Sequence, residues 1–279
     1  MVGPRRRLAG ALRLLAGVAV VVAAAAGGLA ANALLFGSGQ VAGGGSSAAP
    51  SGMRSSAVSS ALTASARRLA RLGAGAPRGE ALIATARGMT VAVYRAPGQA
   101  RPWRLLGELP FSYGTKLVFV VERVRGGWLK VQLPVRPNLS SGWIEARSVL
   151  LTTTPYRVVV LLRSHRMIVF DGRRAILRAP IGVGRAVSPT PSGRYFITDL
   201  LEPRDPAGVY GPYAFGLSAY SNVYTTFAGG DGQIGLHGTD YPAGIGTDVS
   251  HGCIRTYNAV IRKLAALLPL GTPVTILRR

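Results

Sequence analysis

Short apolar runs that end at turn-forming residues constrain the fold of this chain more than any other feature of its sequence. The chain has 37 glycines and 18 prolines among 279 residues, and from about residue 81 these leave little room for long helices. The runs Leu117–Val124 and Trp128–Leu133 are separated by the turn Arg125–Gly127, which is the pattern of a β-hairpin. We therefore expect a mainly β fold.

One segment departs from this pattern and predicts an α-helix. Asn258 can cap a helix that runs to about Leu268, and Pro269 and Gly271 would end it. The apolar residues of this segment recur at helical spacing and would form one buried stripe: Val260, Ile261, Leu264, Leu267 and Leu268. We expect this to be the one clear helix of the folded part.

The β-rich part of the chain divides into two predicted domains. The threonines at 152–154 and Pro155 form a short boundary between strand-like residues 81–152 and strand-like residues 156–277. The closely spaced short strands of 81–152 suggest a small barrel. Residues 37–80 begin with glycine, serine and alanine, which predicts a flexible linker or stalk.

The N-terminal residues predict export from the cytoplasm. Four arginines lie within residues 1–13, and residues 14–36 are an uncharged, mostly apolar run long enough to span a bilayer. Arginines before the run and none just after it place residues 1–13 in the cytoplasm and the body of the protein outside. A cleaved signal peptide is the alternative, because Ala31–Ala33 fits an A-x-A cleavage site. We expect a single-pass membrane protein, or a secreted wall protein if the run is cleaved.

The charge of the chain suggests an anionic partner. The formal net charge is +22, but residues 1–79 contribute nine arginines without an acidic residue. Residues 80–279 hold 24 basic and 11 acidic residues and contain no basic run and no nucleic-acid-binding signature. We therefore expect contact with an anionic cell envelope, and with the membrane through an N-terminal helix, and no nucleic-acid partner.

The single cysteine, Cys253, is the strongest candidate for chemistry. It excludes an intrachain disulfide and any site built from several cysteines. His237 lies sixteen residues before it and His251 two residues before it, so an imidazole could activate the thiol as a nucleophile. Backbone N–H groups around Gly252 could stabilise an oxyanion, and Arg255 could bind a carboxylate. An inert buried cysteine and a zinc site using both histidines are the alternatives.

The motifs around these residues resemble a known enzyme family. His237-Gly238-Thr239 and Ser250-His251-Gly252-Cys253-Ile254-Arg255 look like the active-site signature of the YkuD-type L,D-transpeptidases, and 190–195 (TPSGRY) also matches that family's pattern. The resemblance covers about 156–277. Residues 81–152, with GGWLKVQL and SGWIEARSV, resemble a bacterial SH3-like domain.

The resemblance implies a β-sandwich-like catalytic domain that acts on peptidoglycan stem peptides, with one helix after the cysteine. It implies that Cys253 is the nucleophile, that His237 is the general base and that the backbone carbonyl of Gly238 orients His237. The segment His251, Gly252 and Cys253 would supply the oxyanion-hole N–H groups, and the remaining motif positions would bind substrate: Ser250 and Arg255.

The implied reaction is acyl transfer through a Cys253 thioester, which forms 3→3 crosslinks from tetrapeptide stems and needs no metal or other cofactor. Two alternatives stay open. One is an L,D-carboxypeptidase, in which water resolves the thioester, and the other is a non-catalytic wall-binding protein.

Overall fold

Two β-rich regions make up the part of the chain that the computed structural model describes, residues 79–107, 115–227 and 229–279. The predicted cytoplasmic N-terminus 1–13, the apolar run 14–36 and all but the last two residues of the linker 37–80 lie outside the described residues. Among the helices that are described, none combines the length and the apolar character needed to cross a bilayer.

The first region is a five-stranded antiparallel sheet with a small hairpin beside it. Its strands are β1 (Ala81–Ala86), β2 (Val91–Val93), β3 (Arg104–Leu106), β4 (Val118–Arg125), β5 (Trp128–Gln132), β6 (Ser141–Glu145) and β7 (Val149–Thr154). The sheet order is β6-β5-β4-β1-β7, and β2 pairs with β3. The predicted hairpin is present as β4 and β5, joined at Gly126 and Gly127, both of which have positive φ.

The first region has a hydrophobic core of its own. Alternate residues of β5 and β6 point inward, because successive side chains of a strand lie on opposite faces. The fully buried side chains of this core are mostly aromatic or β-branched: Val93, Phe119, Leu129, Val131 and Ile144. Residues over which the sequence predicted an SH3-like barrel therefore form a separately packed β unit.

The second region consists of a curled eight-stranded sheet, a separate two-stranded sheet and one α-helix. Its strands are β8 (Tyr156–Leu161), β9 (Arg166–Asp171), β10 (Arg174–Pro180), β11 (Val183–Gly184), β12 (Gly193–Leu201), β13 (Ala214–Tyr220), β14 (Gln233–His237), β15 (Asp248–Ser250), β16 (Ile254–Arg255) and β17 (Pro273–Leu277), and the helix α1 is Asn258–Leu267. The sheet order is β10-β9-β8-β17-β12-β13-β14-β16, and β11 pairs with β15.

The curl of this sheet is centred on β12. Residues Gly193–Phe196 pair with β17, whereas the stretch from Ile197 to Leu201 pairs with β13. The register shifts between Ile197 and Asp199, and such a bulge bends a strand and increases its twist. One continuous sheet thus supplies both halves of the domain that the sequence predicted to be sandwich-like.

Helix α1 closes one side of the core. Ile261, Leu264 and Leu268 of the predicted stripe are buried, and Val260 and Leu267 pack partly buried against the same core. The helix ends before Pro269, as predicted. The prediction that Asn258 caps the helix is wrong, because the cap position is Tyr257 and no side chain bonds there. The amide of Asn258 is used instead at the functional site described below.

The two regions contact each other where β1 meets the turn before β17. Gly271 has a φ of +82° and donates its N–H to Ile197 O over 2.8 Å. A Cβ atom at position 271 would lie 2.5 Å from Cγ2 of Ile83, which is buried in β1. Gln132 Nε2 adds a second contact by donating to Arg194 O over 2.8 Å. The packing between the regions therefore depends on glycine at position 271.

We predict that Gly271→Ala destabilises the protein by about 2–4 kcal/mol, because it adds a steric overlap to an unfavourable positive φ. Gly98→Ala is the matched control: Gly98 has a φ of +79° with nothing within 4 Å of an added Cβ, so it carries the backbone cost alone, about 1 kcal/mol. Urea unfolding of the two variants measures the difference. Equal losses would contradict the packing at Ile83.

Candidate active site

Parallel pairing of β14 with β16 brings His237 and Cys253 together. Leu236 pairs with Ile254 and His237 pairs with Arg255, so Cys253 lies directly before the strand that runs beside the histidine. Residues 238–252 form the connection that allows this parallel pairing, as a parallel connection must be long. The sixteen-residue separation in the sequence is thereby closed by the sheet itself.

His237 and Cys253 line the same groove, which has a volume of about 580 Å3. Gly235 lies between them: a Cβ atom there would be 3.6 Å from His237 Cδ2 and 3.8 Å from Cys253 Sγ. The N–H of Gly235 donates to Sγ over 3.3 Å. The sulfur and the imidazole therefore flank one small space, and a main-chain donor points at the sulfur.

His237 is held in one tautomer by the next residue of the chain. Its Nδ1 lies 2.7 Å from the carbonyl oxygen of Gly238. A carbonyl oxygen can only accept a hydrogen bond, so Nδ1 carries the proton and Nε2 is left as the basic nitrogen. The ring edge of Tyr210 packs on the imidazole, with ring centroids 5.0 Å apart.

Burial keeps both titratable groups of the pair neutral at pH 7. It lowers the pKa of His237 to about 4, against a smaller opposing effect of the Gly238 carbonyl. Burial also raises the pKa of the Cys253 thiol, and the Gly235 N–H and the Arg255 charge oppose this only in part. Desolvation thus favours the neutral form of each group.

Ser250 shapes the turn that presents Cys253. Its Oγ donates to the carbonyl oxygen of Cys253 over 2.6 Å and accepts from the N–H of Gly252 over 3.0 Å, and the residue is 1% exposed. The hydroxyl of Ser250 is thus used within the turn, and the expectation that this residue binds substrate stays a prediction. Because the Gly252 N–H already donates to Ser250 Oγ, the N–H groups of His251 and Cys253 are left as the oxyanion-hole candidates.

Thr190 supports this turn from a neighbouring segment. Its hydroxyl donates to the Gly252 carbonyl over 2.8 Å and accepts from the Gly184 N–H over 2.9 Å. Gly252 itself has a φ of +127°, and a Cβ atom there would approach Ile234 to 3.0 Å. Thr190 belongs to the segment 190–195 noted in the sequence, and its position explains why that segment accompanies the cysteine motif.

The side chain of His251 points away from the His237 imidazole. It is exposed, its Nε2 lies 2.6 Å from Nη2 of Arg185, and the rings of Tyr224 and Phe227 pack on it at 5.9 and 5.3 Å. Its ring thus packs on a side chain that lines the groove, Phe227.

Arg255 places a positive charge near His237 and Cys253. It lies half-buried in β16, and its charge lowers the pKa of both His237 and Cys253. Its Nε is buried and has no hydrogen-bond partner. None of the ion pairs among the described residues involves it. A buried guanidinium N–H without a partner suits a carboxylate ligand.

Asn258 ties helix α1 to the segment that follows His237. Its Oδ1 accepts the N–H of Thr239 over 2.8 Å. Cβ atoms added at Gly238 or Gly211 would overlap this same oxygen. The glycines therefore allow the amide to reach the main chain beside His237, and a helix-capping pattern in the sequence could not reveal this contact.

Two acidic residues of the groove were not found from the sequence: Asp199 and Glu202. Asp199 is 1% exposed and accepts from Thr198 Oγ1 over 2.7 Å, and burial raises the pKa of its carboxyl group. It lies within β12 in no motif, so only the bend of that strand places it in the groove.

No group of three or more His, Cys, Asp or Glu side chains that could hold a metal ion occurs within the described part of the chain. His165 is the histidine outside the motif. It lies in the β8–β9 turn, and its Nε2 is 2.8 Å from Oδ1 of Asp248.

Comparison with known proteins identifies the same part of the chain. Residues 155–276 match the family model of the YkuD L,D-transpeptidase catalytic domain. A Bacillus subtilis protein that carries the L,D-transpeptidase name YkuD is 32% identical over 152 residues, which is 52% of this chain and 84% of that protein. A Salmonella typhimurium protein named as the L,D-transpeptidase ErfK/SrfK is 32% identical over 153 residues, and the match spans 49% of this chain and 48% of that protein.

The chain is also similar to a catalytic domain of known structure. The catalytic domain of an L,D-transpeptidase from E. faecium is 25% identical, and the match covers 44% of this chain and 96% of that domain, with a TM-score of 0.32.

We predict that burial of His237 lowers the free energy of unfolding of the protein at acidic pH. Its pKa is about 4 in the folded protein and about 6.5 when unfolded, so the unfolded chain binds the proton first. Its contribution is fully present above pH 6.5 and is lost as the pH falls towards 4, by about 3 kcal/mol.

Chemical unfolding of the wild type and of His237→Gln between pH 7.5 and 4 measures this contribution. The variant should lack that share of the acid sensitivity, while carboxyl groups such as Asp199 contribute equally to both proteins. Parallel pH profiles for the two proteins would contradict the neutral, buried state of His237.

Proposed function

Since this chain belongs to the family of YkuD-type L,D-transpeptidase catalytic domains, whose reaction is acyl transfer, we propose that it forms 3→3 peptidoglycan crosslinks through a thioester on Cys253. The donor is a tetrapeptide stem, cleaved between its third residue and the terminal D-alanine. The acceptor is the side-chain amine of the third residue on a neighbouring stem.

The observation that carries this proposal is the pairing of sulfur and imidazole at one groove. Cys253 Sγ and His237 Cδ2 flank Gly235, and the Gly238 carbonyl holds the proton on Nδ1, so that Nε2 is the nitrogen able to accept one. A nucleophile next to a base that a third group orients is the arrangement used in acyl transfer.

In the first half of the reaction, Cys253 Sγ attacks the carbonyl carbon of the scissile bond and its proton passes to His237. Because the pKa values of the thiol and the imidazole both disfavour the charged pair, we expect the proton to move as the sulfur attacks. The Cys253 and His251 N–H groups are the donors for the oxyanion. His237 then gives the proton to the departing amine of D-alanine, and the thioester remains.

In the second half, the acceptor amine attacks the thioester carbonyl. Its proton passes to His237 and then to the departing sulfur, which restores the thiol and leaves a new amide bond. We expect Arg255 to bind a stem-peptide carboxylate, because its Nε–H has no hydrogen-bond partner among the described residues. If water replaces the amine, the same steps give an L,D-carboxypeptidase.

We also propose a location outside the cytoplasm for both β regions. The apolar run 14–36 and its flanking arginines support an anchored or secreted protein, and peptidoglycan stem peptides lie outside the membrane.

The five-stranded antiparallel sheet over residues 81–154, with its own core, supports the proposal that this region is a small SH3-like domain.

We predict that Cys253→Ala lowers product formation by at least about 10^4-fold, because no other thiol exists to form the thioester. The full-length protein is incubated with disaccharide-tetrapeptide, and dimers, tripeptides and released D-alanine are separated by chromatography. Intact mass after exposure to a carbapenem should show an adduct on the wild type and none on the variant. Undiminished activity of Cys253→Ala would exclude the nucleophile.

His237→Ala should fail in the same assay, while His165→Ala should stay within about threefold of wild type, because the His165 side chain contacts Asp248 and does not line the groove. Dimers from the wild type support a transpeptidase, and tripeptide alone indicates the carboxypeptidase. Absence of both products, with wall binding retained, indicates a non-catalytic wall-binding protein.

A further inference from the structure

One rim of the groove is a loop with little packing of its own. This rim loop, residues 221–232, connects β13 to β14, and Phe227, Gly230, Asp231 and Gly232 line the groove together with Cys253. Most of its described side chains are exposed, Phe227 by 42%. A loop with few buried side chains opens easily unless other contacts hold it.

Besides hydrogen bonds within the loop, such as that from the Ser221 N–H to Gly232 O over 2.8 Å, the rim loop receives contacts from the first β region. Arg136 lies in the β5–β6 loop, and its Nη1 donates to Ser221 O over 2.7 Å. Its Nη2 donates to Tyr224 O over 3.0 Å and to Asp231 O over 2.8 Å. These three carbonyls come from the described residues on both sides of residue 228, so one guanidinium group bonds to both ends of the loop.

The surrounding contacts fix where the guanidinium lies. It stacks 5.0 Å from the ring centroid of Tyr220, whose hydroxyl donates to Pro134 O over 2.8 Å. Asn138 makes two hydrogen bonds with the main chain of Tyr220, of 2.7 and 2.8 Å. A Cβ atom at Gly232 would lie 3.0 Å from Arg136 Nη2. The β5–β6 loop is therefore fastened to the strand from which the rim loop departs.

The rim loop in turn contacts the segment that carries the cysteine. The rings of Tyr224 and Phe227 pack on the imidazole of His251, two residues before Cys253. Arg136 makes its hydrogen bonds to main-chain atoms and does not line the groove itself. It can affect a reaction at Cys253 only through the loop.

We propose that Arg136 is a positioning residue through which the first β region sets the affinity of the groove for its substrate. It holds the rim loop against the groove, so that Phe227 and residues 230–232 are already positioned to bind substrate in the groove that Cys253 lines. The catalytic part of this inference rests on the proposed transpeptidase function, whereas the ordering of the loop does not.

The test uses the full-length protein with Arg136→Ala and Arg136→Lys, and Arg125→Ala as the matched control. Arg125 is an exposed arginine at the end of β4 that makes none of these contacts. Circular dichroism and thermal unfolding establish that each variant is folded. Lysine keeps the charge, but its single ammonium group cannot bond to three carbonyls as the planar guanidinium does. Arg136→Lys should therefore restore only part of the loop order and substrate affinity that Arg136→Ala loses. If Arg136→Ala does not fold, Arg136→Lys takes its place.

Two readouts follow. Amide hydrogen exchange should be about tenfold or more faster in residues 221–232 of Arg136→Ala and unchanged in β8, β9 and β17. With disaccharide-tetrapeptide, KM should rise about tenfold while kcat stays within about threefold, because the reacting pair is intact. Arg125→Ala should match the wild type in both.

Unchanged exchange in the rim loop would overturn the proposal, as would faster exchange throughout the second region or a fall in kcat without a change in KM. If the wild type forms no product from tetrapeptide, the proposed function fails, and the exchange experiment alone then decides whether Arg136 orders the loop.

Discussion

The parallel pairing of β14 with β16 is the constraint on which the rest of the site depends. Two short strands place His237 beside Arg255, and Cys253 enters the groove because it lies directly before that register begins. The neighbouring contacts secure this arrangement from three sides: Ser250 within the turn, Thr190 from the segment before β12 and Asn258 from helix α1. The helix therefore contributes a polar anchor as well as its apolar stripe.

Burial shifts the pKa values of His237 and Cys253 in opposite directions. It makes the histidine a weaker base and the cysteine a weaker acid, so neither group is charged at rest. The Arg255 charge and the Gly235 N–H favour the thiolate, but they do not overcome desolvation. Under the proposed mechanism, the proton would therefore leave the thiol only as the sulfur attacks a bound carbonyl.

Much of this arrangement could be predicted from the sequence. The features that could not be predicted depend on contacts between residues that are far apart in the chain. Alternation and turn residues predicted the β4–β5 hairpin, and helical spacing predicted the buried face of α1, because both depend on neighbours in the chain. The motif identified Cys253 and His237 as candidates. The helix pattern wrongly predicted Asn258 as a cap, since a pattern of residue types does not give the direction of a side chain. Arg136 and Asp199 were missed because their partners are main-chain groups or lie across a bend in β12.

The contact between Gly271 and Ile83, together with the fork of Arg136, bears on how such a protein could have been assembled. The two β regions look like interchangeable modules along the chain, joined at Pro155. Yet the loop that forms one rim of the groove is hydrogen-bonded to Arg136 of the upstream region. Exchange of the upstream region would therefore remove contacts of that loop without removing any residue that lines the groove.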